Sequence, residues 1–134
     1  MKEYQQKRMK SYTLPEAVYR QALWAVKDLP RMKEKMRKLE LQAENGARIV
    51  IDMSASKKGF ASDRTGEQAV DLALLSARIG AIERALKNVP EIYQKGILEK
   101  LAYGIPYGDE FHPNTWKKWQ QVYLYHVALE LGLY

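Results

Sequence analysis

The chain has 134 residues, 46% hydrophobic and 28% charged, so it is long enough for one globular domain with a buried core. It contains no cysteine, which excludes disulfides, thiolate metal sites and cysteine nucleophiles. No run approaches the roughly 18 apolar residues that a membrane span needs, and no signal-peptide pattern opens the chain, so we expect a cytoplasmic protein.

Positive charge is concentrated in the first third of the chain. Residues 1–45 carry 11 Lys and Arg against 6 Asp and Glu, whereas residues 46–134 carry 11 against 10. A basic segment favours a polyanionic partner, because binding releases the counterions condensed on that partner. A solvated helix face has the same composition, so charge alone leaves both interpretations open.

The first predicted helix follows a polar segment, residues 1–11, that we expect to be a flexible arm. Thr13, Pro15 and Glu16 form a helix-start signature, with a capping hydroxyl, a proline in the first turn and an acid at the third position. The sequence therefore predicts that Thr13 caps a helix.

Apolar residues in this region alternate at gaps of four and three, which is typical of a heptad seam. The seam consists of Val18, Ala22, Ala25, Leu29, Met32, Met36, Leu39 and Ala43. Pro30 interrupts it, which predicts either a kink near Leu29 or a second helix that starts at Pro30. Such a seam packs in a monomer core or against a second copy, and we favour a homodimer.

The middle of the chain carries turn signals. The Asn45-Gly46 pair and the loop composition of residues 54–59 predict a linker over residues 46–66. A long core helix is then expected from Asp63 or Thr65. Its apolar positions are Leu72, Leu75, Ile79, Ile82, Leu86 and Val89, beside a stripe of small residues at Ala69, Ala73, Ala77, Ala81 and Ala85. Small side chains let another helix approach closely.

Two more helices are predicted after this one. Pro90 starts a helix over residues 90–103, and Gly104 stops it. Its buried stripe is Tyr93, Ile97 and Leu101. After a connector of about ten residues, Asn114 or Thr115 caps the last helix, which runs to about Leu131 and is stopped by Gly132.

These last two helices resemble a helix-turn-helix with a widened turn. Four apolar residues share one side of the last helix, which predicts that this side is buried: Trp116, Trp119, Tyr123 and Val127. The opposite side carries amides and lysines, which suit adenine edges, guanine and phosphate. Its candidates for DNA contact are Asn114, Lys117, Lys118, Gln121 and Tyr125. A merely solvated amphipathic helix would show the same pattern.

A second group of basic residues is a candidate for phosphate contacts. It consists of Arg31, Lys33, Lys35, Arg37 and Lys38. A polyanion would relieve the repulsion along this stretch, although a solvated coiled-coil face explains it equally well.

The sequence does not favour an enzyme. His112 and His126 have no carboxylate or second histidine at metal-ligand spacing, and the Asp109-Glu110 pair is typical of a solubilising turn. No glycine-rich phosphate loop is present. We therefore expect no catalysis, no metal and no cofactor.

Several segments together resemble the RinA-type late transcriptional regulators of phages and prophages of Gram-positive bacteria. The matching segments are 12–19 (YTLPEAVY), 62–65 (SDRT), 79–86 (IGAIERAL), 89–93 (VPEIY), 114–119 (NTWKKW) and 131–133 (LGL). The resemblance covers nearly the whole chain. It implies a regulator in the bacterial host cytoplasm that binds phage DNA and activates late genes for packaging and lysis.

The C-terminal part of such regulators looks like region 4 of sigma factors, which contacts promoter DNA. By position, the resemblance places Asn114, Thr115, Lys117, Lys118 and Gln121 in the reading helix. It also places Tyr93 and Ile97 in the support helix. Residues 105–113 replace the compact second helix of the usual motif.

The resulting prediction is an all-α helical bundle in three parts. Residues 1–45 form a basic helical arm that is a candidate for dimerisation, residues 46–66 form a linker, and residues 67–134 form a helical core with the DNA-binding unit. A small terminase subunit is a rival hypothesis, and a ring of many copies would favour it. The other rival is a protein–protein adaptor that binds RNA polymerase or another phage protein without contacting DNA.

Overall fold

In a computed structural model, all the regular secondary structure of the described residues is helical, which confirms the all-α prediction. The structure describes residues 5–6, 8–52 and 58–134, and it describes side chains outside 45–52 and 58–65. The α-helices are α1 (Glu16–Lys27), α2 (Leu29–Asp52), α3 (Lys58–Ala85), α4 (Glu91–Tyr103) and α5 (Pro113–Glu130). Short 3-10 turns lie at Lys10–Tyr12 and Leu86–Asn88.

The chain divides into two compact units, one formed by Met1–Pro30 with Gly80–Tyr134 and the other by Arg31–Ile79. In the first unit α1, α4 and α5 all contact one another. Tyr123 is fully buried there, and its hydroxyl donates a hydrogen bond to the Ile82 carbonyl at 3.2 Å. Burial raises the pKa of Tyr123 well above its ordinary value, helped by the charge of Glu83. The prediction that this side of α5 is buried is thus confirmed at Tyr123, in the middle of the side.

The start of α1 differs from the prediction that Thr13 caps it. The Thr13 hydroxyl donates instead to the Met9 carbonyl at 2.8 Å, and no side chain caps the helix at Pro15. A local turn therefore takes the hydroxyl that the capping pattern assigned to the helix.

The described residues of the N-terminal segment are not a free arm. The Gln5 side chain donates to the Leu14 carbonyl at 2.7 Å and accepts from the Leu14 amide at 3.0 Å. Leu14 itself is only 3% exposed. The prediction of a flexible arm is wrong from Gln5 onward among the described residues, because this bonded pair and the turn at Lys10–Tyr12 fix the backbone.

The chain forms two helices around Pro30, as one of the two alternatives predicted. Asp28 ends α1, and α2 begins at Leu29, one residue earlier than expected. Leu29 and Met32 are buried, but Ala43 at the end of the seam is exposed. The buried face of α1 is Tyr19, Ala22, Leu23 and Val26. The seam prediction is therefore only partly confirmed, because three of the four buried residues of α1 (Tyr19, Leu23 and Val26) lie outside the seam.

The second unit corrects the predicted linker over residues 46–66. α2 continues to Asp52 and α3 begins at Lys58, so residues 46–52 and 58–66 are helical, and the rest of the predicted linker, 53–57, lies outside the described residues. Turn residues are tolerated inside a helix at a cost of about 1 kcal/mol, which neighbouring helix formers offset. Gln68 donates to Gln42 at 3.3 Å within this unit. Ala81 and Ala85 are buried, whereas the rest of the alanine stripe, Ala69, Ala73 and Ala77, is exposed.

The ends of α4 and α5 follow the predicted signals. Gly104 and Gly132 adopt positive φ angles of 70° and 73°, where a side chain would be strained. The Leu133 amide donates to the Ala128 carbonyl at 2.8 Å, and the Gly132 amide donates to the Leu129 carbonyl at 3.1 Å. This pair of bonds is a Schellman motif, which satisfies the last carbonyls of α5.

Gly96 on α4 is packed against an indole ring. A Cβ at Gly96 would lie 2.6 Å from Cη2 of Trp116. We therefore expect Gly96→Ala to lower the free energy of unfolding by roughly 1–3 kcal/mol, as overpacking does. Urea denaturation measures this loss.

Gly66→Ala is the matched control, because a Cβ there meets nothing within 4 Å on the exposed surface of α3. It is expected to stabilise the protein by about 0.5–1 kcal/mol, since alanine favours the helix. Equal effects of the two substitutions would show that the Gly96–Trp116 contact is not tight.

Candidate nucleic-acid interface

An aromatic cluster fixes the start of α5 against α4 and the connector, residues 104–112. Trp116 stacks on Tyr107, with ring centroids 4.5 Å apart and planes 8° from parallel. Tyr93 and Phe111 meet the same indole edge-on, at 5.6 Å and 5.5 Å. Trp116 is 4% exposed, so the prediction that it is structural is confirmed. The cluster holds the first turns of α5 in one orientation.

Two polar contacts reinforce this arrangement. The Tyr107 hydroxyl donates to Oε1 of Gln120 at 2.6 Å, which ties the connector to the second turn of α5. Trp119 stacks on Tyr93 at 5.8 Å, and the Lys118 ammonium lies 4.8 Å from the centre of the Trp119 ring. A cation over an indole face is attracted by the ring quadrupole. Lys118 is therefore exposed and also oriented.

The sequence analysis missed the residue that caps α5. His112 is the N-cap, and its Nδ1 accepts a hydrogen bond from the Asn114 amide at 3.1 Å, with Pro113 in the first turn. The prediction that Asn114 or Thr115 is the cap is wrong, because the helix begins earlier than either. The signal was present in the His-Pro pair, since proline favours the first helical position.

Three of the predicted DNA-contact residues lie on the exposed surface at the start of α5: Asn114, Lys117 and Lys118. Thr115 is half-buried. We call the three exposed residues the α5 polar patch. A lysine and an amide in the first turns of a helix are the groups that proteins use to contact phosphates and base edges.

Gln121 does not belong to this patch, and the prediction that it faces outward is wrong. It is 3% exposed, and its Nε2 donates to the carbonyls of Gln6 and Tyr12 at 2.8 Å and 3.2 Å. Its Oε1 accepts from the Gln6 amide. The N-terminal segment therefore covers this turn of α5, which a helical wheel of α5 alone cannot reveal.

Tyr125, the remaining candidate on α5, is half-buried by aromatic neighbours. Its ring meets Tyr12 edge-on at 5.3 Å, and it also contacts His126 and Tyr134 at 5.4 Å and 6.2 Å. These contacts tie α5 to both ends of the described chain. Tyr125 has a packing role in addition to any contact with a partner.

A groove of about 590 Å³ lies between the connector and α5. It is lined by Lys100 and Lys117 as well as by Asp109 and Glu110, so its charges are mixed. The indole Nε1 of Trp116, also at this groove, is buried without a hydrogen-bond acceptor among the described residues. Lys117 belongs both to this groove and to the α5 polar patch, so the acidic pair lies close to one end of the patch.

The basic group of α2 lies in the second unit, and all of its members are exposed. At 100° per residue, Arg31, Lys35 and Lys38 share one side of the helix, whereas Lys33 and Arg37 lie on another. Arg37 pairs with Glu34 at 2.6 Å, which lowers the pKa of Glu34 and raises the pKa of Arg37. One straight phosphate track can therefore engage three of the five residues at most.

No family model matches the chain, and neither a curated protein nor a solved structure matches it. Among the described helices, none is both long and apolar enough to cross a membrane. The described residues also contain no group of three or more His, Asp or Glu that could hold a metal ion.

Removal of the Gln121 side chain should destabilise the first unit. Gln121→Ala leaves the backbone groups of Gln6 and Tyr12 without their partner, and we expect a loss of roughly 1–3 kcal/mol in unfolding free energy. Urea denaturation measures the loss, and hydrogen exchange should show faster exchange of the Gln6 amide. Gln21→Ala on the exposed side of α1 is the control, and an equal effect there would contradict the structural role.

The stability of the protein should fall as the pH drops through the range in which His126 titrates. Desolvation lowers the pKa of His126 from 6.5, against the opposing charge of Glu130. The folded state therefore favours the neutral imidazole. Its contribution is fully present above the unfolded value and is lost as the pH falls through the folded pKa.

Urea denaturation between about pH 7.5 and about pH 5.5 should show this loss, with a smaller loss in His126→Asn. Gln21→Ala, on the exposed side of α1, is the control and should keep the pH dependence of the unaltered protein. Identical profiles for His126→Asn and Gln21→Ala would exclude His126 as the cause.

Proposed function

We propose that this protein is a DNA-binding transcriptional regulator that inserts the start of α5 into the major groove. The α5 polar patch is the observation that carries the proposal. Asn114, Lys117 and Lys118 are exposed on the first turns, whereas every residue from Gln120 to Leu124 is buried. Reading helices of helix-turn-helix proteins contact bases with their N-terminal residues. Exposure of the first turns of α5 is therefore sufficient for base contacts.

The packing of the first unit supports this function. α1, α4 and α5 contact one another, as the three helices of a homeodomain-type unit do. The stack of Trp116 on Tyr107 holds α5 rigidly, which lowers the entropy that groove binding would otherwise cost. α4 is then the support helix.

The residues of the α5 polar patch suit different groups of the DNA. The Asn114 amide can bond an adenine edge with two hydrogen bonds, whereas Lys117 and Lys118 can contact guanine or phosphate. Arg31, Lys35 and Lys38 on α2 are a separate group of candidates for phosphate contacts. Gln121 takes no part.

The biological setting that we propose comes from the resemblance to RinA-type regulators. In it, the protein acts in the bacterial host, binds DNA upstream of the late genes of a phage or prophage, and activates them, with RNA polymerase as a further partner. Terminase genes next to its own gene would support this setting.

The DNA proposal is tested by fluorescence anisotropy, first with a pool of random duplexes at about 50 mM salt and then with the sequences that the protein selects from the pool. Lys118→Ala should weaken binding to the selected duplex by about 1–3 kcal/mol. Lys95→Ala removes one positive charge from α4, where the side chain is 88% exposed, and is the control. Its effect should be clearly smaller.

Three results would overturn the proposal or redirect it. Absence of binding at low salt would favour the protein–protein adaptor. Equal losses in Lys118→Ala and Lys95→Ala would show that α5 does not read DNA. A ring of many copies in solution, combined with DNA binding, would favour the small terminase subunit.

A further inference from the structure

One side of α3 in the second unit is apolar and uncovered. Val70 and Leu74 are 60% and 61% exposed, although residues of this size are among those most often buried. Ala73 and Ala77 are exposed on the same side. The four residues have the i, i+3, i+4, i+7 spacing that forms one continuous stripe on a helix, and we call them the α3 stripe.

The opposite side of α3 already faces inward. Leu72 and Leu75 are half-buried there, and Ile79 is 6% exposed. This part of the helix is therefore apolar on two sides, of which the described residues of the chain cover only one. A helix that is apolar on both sides is normally buried on both.

The α3 stripe is complementary to itself in shape when two copies run antiparallel. With a two-fold axis between Ala73 and Leu74, Val70 of one copy faces Ala77 of the other, and Leu74 faces Ala73. Each large side chain then meets a small one, which lets the helices approach closely. An isologous contact of this kind closes on two copies.

The charges beside the stripe favour the same arrangement. Glu67, Asp71 and Arg78 are exposed and lie along one flank of the stripe, at 60–100° around the helix from Val70. None of them forms an ion pair with another described residue. An antiparallel two-fold brings the same flank of both copies together, so the acidic end of one meets Arg78 of the other. A parallel pair of helices would not bring these acidic residues and Arg78 together.

We propose that the α3 stripe is a homodimer interface that binds the α3 stripe of a second copy in antiparallel orientation. This surface differs from the heptad seam of the N-terminal helices, because Leu29 and Met32 of that seam are already buried within one chain. The proposal stands independently of DNA binding.

The exposed apolar area is small, so the dimer dissociates at low concentration. Sedimentation equilibrium of the full chain over a wide concentration range should show a monomer–dimer equilibrium. Leu74→Glu should raise the dissociation constant by roughly tenfold or more. Ile92→Glu is the control, because Ile92 on α4 is 66% exposed and lies outside the stripe, and it should leave the constant unchanged.

The orientation is tested by crosslinking, which the absence of natural cysteine makes unambiguous. A mixture of Val70→Cys and Ala77→Cys chains should form the mixed disulfide under mild oxidation. Val70→Cys alone should crosslink poorly, because an antiparallel pair separates the two Val70 positions by about 10 Å along the axis. A disulfide needs Cα atoms within about 7 Å.

A chain that stays monomeric at every concentration would overturn the proposal. So would a dimer that Leu74→Glu leaves intact, or one that Ile92→Glu disrupts equally. Efficient crosslinking of Val70→Cys alone would show a parallel pair and contradict the antiparallel interface. Circular dichroism of each variant confirms that the helices are retained.

Discussion

The position of the last helix depends on the packing of Trp116 over Gly96. Because Gly96 has no side chain, the six-membered ring of the Trp116 indole lies directly on α4, and Tyr107 stacks on the same indole. This contact, and not a short turn, sets how α5 lies against α4. The connector is long, yet the aromatic cluster fixes its ends, so α5 does not depend on connector length for its orientation.

Much of the fold could be predicted from the sequence, because its strongest signals are local. Gly104, Gly132 and Pro90 mark helix ends through backbone geometry that belongs to those residue types, and the structure confirms all three. The linker prediction was wrong for residues 46–52 and 58–66, because a turn signal such as Asn45-Gly46 is a weak preference that helix formation overrides. The local preference of a residue type predicts a helix end or a turn correctly only where no other interaction favours a different structure.

The candidate site was harder to predict, since exposure depends on what packs against a helix. The prediction that Trp116 is buried and that Lys117 and Lys118 are exposed follows from periodicity. Gln121 has the same periodicity as Lys118, but residues more than a hundred positions away cover it. Thr13 shows the same limit on a smaller scale, because its hydroxyl bonds the Met9 carbonyl and not the start of α1, where the sequence pattern placed it.

The bonds of Gln121 have a consequence for how this protein can change during evolution. Its partners in the N-terminal segment are the amide and carbonyl of Gln6 and the carbonyl of Tyr12, which every residue type except proline would supply. Side chains at position 6 can therefore drift without loss of the contact, whereas position 121 is constrained to an amide side chain of the right length. Among related chains, the residue at position 6 should therefore vary more than the residue at position 121.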